Sequence, residues 1–121
     1  MYQSEELKLR SKKFALRVIS MFQSLPKNDE ARVLGKQVLR SGTSVVANYR
    51  TACRARSKAE FVAKMGTVVE EADETVLWFE LLVESKIVKV EKMKLLLKEA
   101  NELLAVFAAS YHTAKGSSNK K

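Results

Sequence analysis

The sequence predicts an all-α protein that folds as an antiparallel, up-down-up-down four-helix bundle. Apolar residues recur at alternating spacings of three and four along nearly the whole chain, which is the period of helices that bury one face. Hydrophobic residues make up 46% of the 121 residues, and only one proline and four glycines interrupt them. Four such segments joined by short connections are expected to pack as antiparallel neighbours.

The first helix is predicted to begin after Ser4, whose side chain can cap it, with two acids in its first turn. It ends before Pro26, because the residue before a proline avoids the helical conformation. Asn28 or Asp29 can then cap the second helix. The predicted inward residues of the first helix are Leu7, Phe14, Val18, Met21 and Leu25.

The apolar stripe of the second helix contains two glycines, Gly35 and Gly42. Each costs about 1 kcal/mol relative to alanine in a helix interior, so we interpret both as points of close approach by a neighbouring helix. A functional kink at Gly42 is the alternative. The whole stripe consists of Ala31, Gly35, Val38, Gly42, Val45, Tyr49 and Ala52.

Ser57 and Glu60 predict a capping box at the start of the third helix. A break is expected between Ser85 and Lys89, and the fourth helix should run from about Lys89 to His112. The predicted inward residues are Phe61, Met65, Val68, Ala72, Thr75, Phe79 and Leu82 in the third helix, and Met93, Leu96, Ala100, Leu103, Phe107 and Tyr111 in the fourth.

The predicted domain organisation is one bundle over residues 1–115, followed by a disordered polar tail over 116–121. The apolar faces are broader than one bundle core needs. A second heptad stripe, for example, runs beside the core stripe of the third helix, and it consists of Val62, Val69, Val76 and Val83. We therefore expect some apolar surface to be buried against another chain.

Positive charge is concentrated on the second helix of a chain whose formal net charge is +8. At 100° per residue, five cations fall within an arc of about 80° opposite the apolar stripe, and they span roughly 33 Å of helix axis. Two more cations follow at the end of this helix. The candidate binding residues of this basic ridge are Arg32, Lys36, Arg40, Arg50, Arg54, Arg56 and Lys58.

Two interpretations of the basic ridge are open. The cations can be solvated, or can pair with the acids of the third helix within one subunit or across a subunit interface. These acids are Glu60, Glu70, Glu71, Asp73, Glu74, Glu80 and Glu84. Alternatively, the arginines can follow an RNA or DNA backbone, because guanidinium groups match phosphate oxygens. The ridge lacks interleaved aromatic residues, so such binding would depend on charge and shape.

The residues needed for catalysis are missing, so we expect no enzyme, no metal and no cofactor. His112 is the only histidine, and the single cysteine, Cys53, is expected to be a largely buried, unreactive side chain. A catalytic site at a subunit boundary is the weakest alternative. No apolar run approaches 18 residues and the N-terminal residues do not resemble a signal peptide, which favours a cytoplasmic protein without a membrane partner.

Four segments of the chain form a recognisable pattern, and they consist of Leu39, Arg40, Ser44, Val45 and Asn48, of Ser57, Lys58, Glu60 and Phe61, of Glu71, Ala72, Glu74 and Thr75, and of the closing LLAVFAASYHTAK. With this pattern the chain resembles the four-helix-bundle proteins also called 23S ribosomal RNA intervening-sequence proteins. The resemblance covers residues 5–115. Many members have Ala-Glu-Gly soon after the asparagine, where this chain has Tyr-Arg-Thr-Ala, so the second helix is expected to continue further here.

The resemblance implies a bacterial cytoplasmic bundle that assembles as a ring-like homopentamer and has no catalytic residues. The family is similar to an accessory protein of diversity-generating retroelements that binds nucleic acid and the reverse transcriptase. The sequence thus favours a non-enzymatic oligomer that binds RNA or DNA through the basic ridge as an accessory to nucleic-acid processing. The alternative is a structural assembly module that binds a protein partner and uses the basic ridge in subunit contacts.

Overall fold

The computed structural model describes residues 4–119 of the chain, and these form four helices and no strand. The helices are α1 (Glu5–Gln23), α2 (Asp29–Cys53), α3 (Lys58–Glu84) and α4 (Val90–Asn119). Each packs on the next in sequence, whereas α1 and α4 touch far less extensively and α1 and α3 lie on the diagonal of the bundle. The all-α prediction is confirmed, and α2 continues through residues 48–52 as expected.

Side-chain caps fix the beginnings of the first three helices. The side-chain oxygens of Ser4, Asn28 and Ser57 each accept a hydrogen bond from the backbone N–H three residues later, at 3.1, 2.9 and 3.0 Å. Glu60 completes the predicted capping box by accepting the backbone N–H of Arg56 at 2.7 Å, one residue earlier than the usual partner. The sequence therefore predicted these helix starts correctly.

The break between α3 and α4 depends on a lysine in the left-handed conformation. Lys86 has φ 67°, and the backbone N–H groups of Ile87 and Val88 both donate to the carbonyl of Leu82 at 3.1 Å. This arrangement satisfies the carbonyl of Leu82 in the last turn of α3, and glycine is the residue that usually adopts the left-handed conformation at such a helix end. The break lies where it was predicted, although the segment contains neither glycine nor proline.

The predicted inward stripes form the core. All seven stripe residues of α2 and all seven of α3 are buried, and only Leu7, Met21 and Tyr111 among the remaining predictions are half-buried. A Cβ at Gly35 would lie 2.6 Å from Leu25 Cδ1, and one at Gly42 would lie 3.1 Å from both γ carbons of Val18. Close packing of α1 on α2 therefore explains both glycines, and α2 runs unbroken through Gly42.

The predicted end of α4 is wrong. The helix runs to Asn119 rather than stopping at His112, so residues 116–119 of the expected polar tail are helical, while residues 120–121 lie outside the described part. Ala114 is buried and continues the inward stripe one turn past Tyr111, so the helix passes through Gly116, a residue type that often ends a helix. Within residues 4–119, no helix is long and apolar enough to span a bilayer.

Candidate nucleic-acid interface

The seven cations of the predicted basic ridge fall into separate groups. Arg32 and Lys36 lie near the start of α2, Arg40 lies at its middle, and Arg50 lies near its end. Arg54 caps the C-terminus of α2, and Arg56 and Lys58 follow in the turn and at the first position of α3. All of them except the half-buried Lys58 are exposed. Their roles differ because different neighbouring helices flank them.

Arg40 is held by two acids of α3. Its Nη1 lies 3.1 Å from Glu71 Oε1, and its Nη2 donates to Glu74 Oε1. Burial alone would lower the pKa of Arg40, but the hydrogen bonds to Glu74 and Glu71 raise it above the ordinary arginine value. For this residue, the structure agrees with pairing inside the subunit. Arg40 joins α2 to α3, and binding a phosphate would require it to release two carboxylates.

Arg50 and Arg54 form a cleft with two lysines of α1. The antiparallel packing of α1 and α2 brings Lys8 and Lys12 beside these two arginines, and each pair lies on one helix face because its members are four residues apart. The cleft encloses about 350 Å³ and is also lined by Glu5 and Leu9. We refer to Lys8, Lys12, Arg50 and Arg54 as the anion cleft.

The lining of the anion cleft carries more positive than negative charge. Its lining contains four cations and one carboxylate, that of Glu5, which pairs with Lys8 at 3.0 Å. The Glu5 side chain is largely exposed, and exposed pairs of this kind contribute little. Within residues 4–119, the side chains of Arg50 and Arg54 make no ion pair or hydrogen bond. The two guanidinium groups are therefore available to an anion.

A second basic hollow lies at the opposite end of α2. Lys27, Arg32 and Lys36 surround a floor that includes Phe22 and Leu25, and the hollow encloses about 410 Å³. Arg32 also pairs with Asp29 one turn earlier at 3.1 Å, with both side chains exposed. Lys36 and Arg50 are separated by roughly 21 Å along α2 at 1.5 Å per residue. Arg40, which pairs with Glu71 and Glu74, lies between these two basic surfaces.

Sequence reasoning missed the contribution of α1. At 100° per residue the cations of α1 share no single face, yet Lys8 and Lys12 line the cleft at the end of α2. Two features of the sequence could have identified these lysines. They are four residues apart, as are Arg50 and Arg54, and antiparallel neighbours bring the start of α1 beside the end of α2. The last turns of α2 then face the first turns of α1.

Sequence reasoning also missed an ion-pair cluster between α1 and α4. Arg10 donates to Glu99 at 2.7 and 2.8 Å and to Glu102 at 2.8 Å. The hydrogen bond to Glu99 is the main reason why the pKa of Arg10 is raised, and the same bond lowers the pKa of Glu99. This cluster joins the two least extensively packed helices.

Cys53 and His112, the two residues considered for catalysis, lie on different helices. Tyr49 is buried against the ring of Phe107. Its pKa is raised mainly by this burial and, to a smaller extent, by a hydrogen bond with Cys53. Cys53 is half-buried and His112 is exposed. No group of three or more potential metal ligands occurs in the part of the chain that the structure describes. No aromatic residue in that part is exposed, so the basic surfaces offer charge without a stacking platform.

The fold and the cleft define a small, basic four-helix bundle with a positively charged cleft at one end of its α1–α2 pair. Residues 5–118 match the family model of the 23S rRNA-intervening sequence protein, and the chain belongs to this family. The resemblance seen in the sequence motifs is thereby confirmed.

A solved structure supports the same assignment. It is the crystal structure of a protein of unknown function from the S23 ribosomal protein family of Bacteroides thetaiotaomicron VPI-5482. The TM-score is 0.81, with 32% sequence identity over 88% of this chain and 95% of that one. No curated protein matches the chain. The family and the bundle are therefore shown, while the function has to be argued from the surface.

Proposed function

We propose that the chain is a non-enzymatic, cytoplasmic protein that binds the phosphate backbone of RNA or DNA through the anion cleft, as an accessory to nucleic-acid processing. The observation that carries the proposal is the pair of unpartnered guanidinium groups, Arg50 and Arg54, facing two lysines of α1. Arginine forks match phosphate oxygens, and lysines add point charge. Of the other ridge residues, Arg32, Lys36, Arg56 and Lys58 extend the basic surface, whereas Arg40 maintains the α2–α3 packing.

Binding of this kind should be sensitive to salt and tolerant of sequence. If four cations each contact one phosphate, a plot of log affinity against log salt concentration should have a slope of about −3.6. Between about 50 and about 200 mM salt, the affinity would then fall roughly a hundredfold. The absence of exposed aromatic residues from the described part predicts no preference among bases.

Self-association would strengthen such binding, and we propose that the chain acts as a homo-oligomer, with five copies as the family resemblance implies. A cleft repeated around an assembly gains affinity through effective concentration even where each contact is weak. The surplus of exposed apolar residues on the helices supports an assembly of several copies.

The test is fluorescence anisotropy of a labelled RNA hairpin at low salt. The Arg50→Gln/Arg54→Gln variant should bind at least tenfold more weakly than wild type, because two charged contacts are lost. The matched control is Lys92→Gln/Lys94→Gln, which removes the same charge from exposed positions of α4. Equal losses in both variants, or wild type that does not bind at all, would contradict the proposal.

The second candidate function is a structural module that binds a protein partner. Arg40 pairs with Glu71 and Glu74 of its own subunit, and this candidate extends the same kind of arginine–carboxylate pairing to the acids of a neighbouring subunit. Charge reversal discriminates between the two functions. Arg50→Glu/Arg54→Glu should leave the oligomer intact if the cleft binds nucleic acid, and should dissociate it if these arginines hold a neighbouring subunit. A metal or cofactor bound to the purified protein would instead revive a catalytic role.

A further inference from the structure

The basic hollow at the start of α2 has an apolar floor, which distinguishes it from the anion cleft. The floor consists of Phe22, Leu25, Pro26 and Ala31, whereas Leu9 is the single apolar residue that lines the cleft in the described part of the chain. Leu25 and Ala31 are buried, and Phe22 is half-buried. A ligand in this hollow can therefore bury an apolar group while it neutralises the surrounding positive charge.

The floor exists because Gly35 of α2 has no side chain. A Cβ at this position would lie 2.6 Å from Leu25 Cδ1 and 3.0 Å from Phe22 Cδ1. The backbone N–H of Leu25 donates to the carbonyl of Phe22 at 3.2 Å, which holds Leu25 in the turn directly after α1. The floor is therefore part of the packing between α1 and α2, and it does not depend on exposed side chains alone.

Three cations surround the floor, and two of them have no partner in the described part of the chain. The side chains of Lys27 and Lys36 make no ion pair or hydrogen bond within residues 4–119. Arg32 pairs with Asp29, but the two side chains are 54% and 92% exposed, so a ligand can displace this pair at little cost. No carboxylate among the described residues lines the hollow, whereas Glu5 lines the cleft. The hollow therefore favours a ligand with several negative charges.

An acidic peptide with one large apolar side chain matches this combination of floor and rim. A nucleic-acid backbone presents phosphates and sugars, so it would neutralise the rim but leave Phe22 and Leu25 without an apolar partner. A peptide can place a leucine side chain on the floor while its neighbouring carboxylates meet the cations. The volume of about 410 Å³ is within the size range of ligand sites.

We propose that this hollow is a docking site for an acidic segment of another protein. The segment anchors one large apolar side chain on Phe22 and Leu25, and its carboxylates pair with Lys27, Arg32 and Lys36. Although Arg32 and Lys36 belong to the basic ridge, the residues around them suit a different ligand from that of the anion cleft. The hollow and the cleft lie at opposite ends of α2, so both can be occupied at the same time.

The experiment measures the binding of a labelled synthetic peptide that carries one leucine between two runs of glutamate. A matched peptide has serine in place of the leucine. Fluorescence anisotropy is recorded at about 150 mM salt, where exposed charges more than about 8 Å apart are largely screened. Wild type should bind the leucine peptide at least fivefold more tightly than the serine peptide, because only the leucine uses the floor. Equal affinities for the two peptides, or no binding of either, would overturn the proposal.

Two variants of equal charge test whether the hollow is the site. Lys27→Gln/Lys36→Gln removes two exposed rim cations and should weaken binding of the leucine peptide at least fivefold. Arg50→Gln/Arg54→Gln removes the same charge from the cleft and should bind this peptide within about twofold of wild type, because screening isolates the two surfaces. Circular dichroism should show unchanged helicity in both, since all four positions are exposed. Equal losses in the two variants would overturn the proposal.

A third variant tests the rim without removing a cation. Gln23 is exposed and lines the hollow, so Gln23→Glu places a carboxylate beside the bound peptide and should weaken its binding at least threefold. Unchanged affinity in this variant would contradict the proposed position of the peptide.

Two further measurements exclude other occupants of the hollow. A saturating RNA hairpin should leave the leucine peptide bound to wild type, and displacement would show that the hollow belongs to the nucleic-acid surface. The sedimentation coefficient of Lys27→Gln/Lys36→Gln should equal that of wild type, and a lower value would show that the hollow holds a second copy of the chain. Either contrary result would overturn the proposal, and neither depends on whether the cleft binds RNA through Arg50 and Arg54.

Discussion

Arg40 and Arg50 lie on the same side of one helix, yet only Arg40 pairs with acids of α3, and two substitutions can separate the different roles that we propose for them. Arg40→Met removes the hydrogen bonds to Glu71 and Glu74 but keeps a side chain of similar length. The Glu74 side chain is 45% exposed, so its ion pair with Arg40 contributes little to stability. The Glu71 side chain is only 19% exposed, and it would lose its cationic partner. We expect a loss of about 1–2 kcal/mol in the free energy of unfolding.

Such a loss should lower the Tm of a chain of this size by roughly 3–8 °C. Arg50→Met serves as the matched comparison, because the Arg50 side chain is exposed and unpaired within residues 4–119. Its free energy of unfolding should stay within about 0.5 kcal/mol of wild type.

Calorimetry and anisotropy on the same two variants complete the test. Arg40→Met should bind a labelled RNA hairpin like wild type at a temperature where it is folded. Arg50→Met should bind about five- to tenfold more weakly, as expected for one exposed charged contact of roughly 1 kcal/mol. If Arg40→Met lost RNA binding without losing stability, the assignment of Arg40 to the α2–α3 contact would be refuted.

Three further predictions concern stability, each measured by calorimetry. Lys86→Gly should raise the Tm by roughly 2–5 °C, because glycine adopts positive φ without the cost of a side chain; no increase would contradict this reasoning. The lowered pKa of Glu99 means that its stabilising effect is present above its ordinary pKa of 4.5 and is lost as pH falls through the lowered value. In Arg10→Met, the Tm should therefore fall less steeply than in wild type as the pH drops below 4.5. An equally steep fall in both proteins would contradict this reasoning. Thr75→Val should cost about 1 kcal/mol, because Ser41 loses its hydroxyl partner at 2.8 Å in the α2–α3 contact, and an unaltered Tm would argue against that bond.

Sequence reasoning succeeded where the signal lies within one helix. The caps at Ser4 and Ser57 depend on neighbouring residues, and the buried stripes follow from the helical period. The glycines at 35 and 42 indicated close packing because a helix tolerates glycine in its interior only at a cost. The end of α4 was missed, because Lys115 and Gly116 are typical of a helix end, yet the helix continues through them to Asn119.

What the sequence left open is which helix flanks each side of the basic ridge. Periodicity places Arg40 and Arg50 on the same side of α2, within an arc of about 80°, but it does not say that α3 lies beside one and α1 beside the other. That arrangement depends on the handedness and packing angles of the whole bundle. The two acids that hold Arg40 and the two lysines that complete the anion cleft therefore emerged only with the tertiary structure.

The salt dependence of RNA binding tests most directly whether the anion cleft holds phosphate. Anisotropy titrations of wild type should give a slope near −3.6 for log affinity against log salt, from about four contacts. The Arg50→Gln/Arg54→Gln variant should give about −1.8, because two contacts are lost. Equal slopes for the two proteins would show that these arginines do not contact phosphate and would contradict the proposed function.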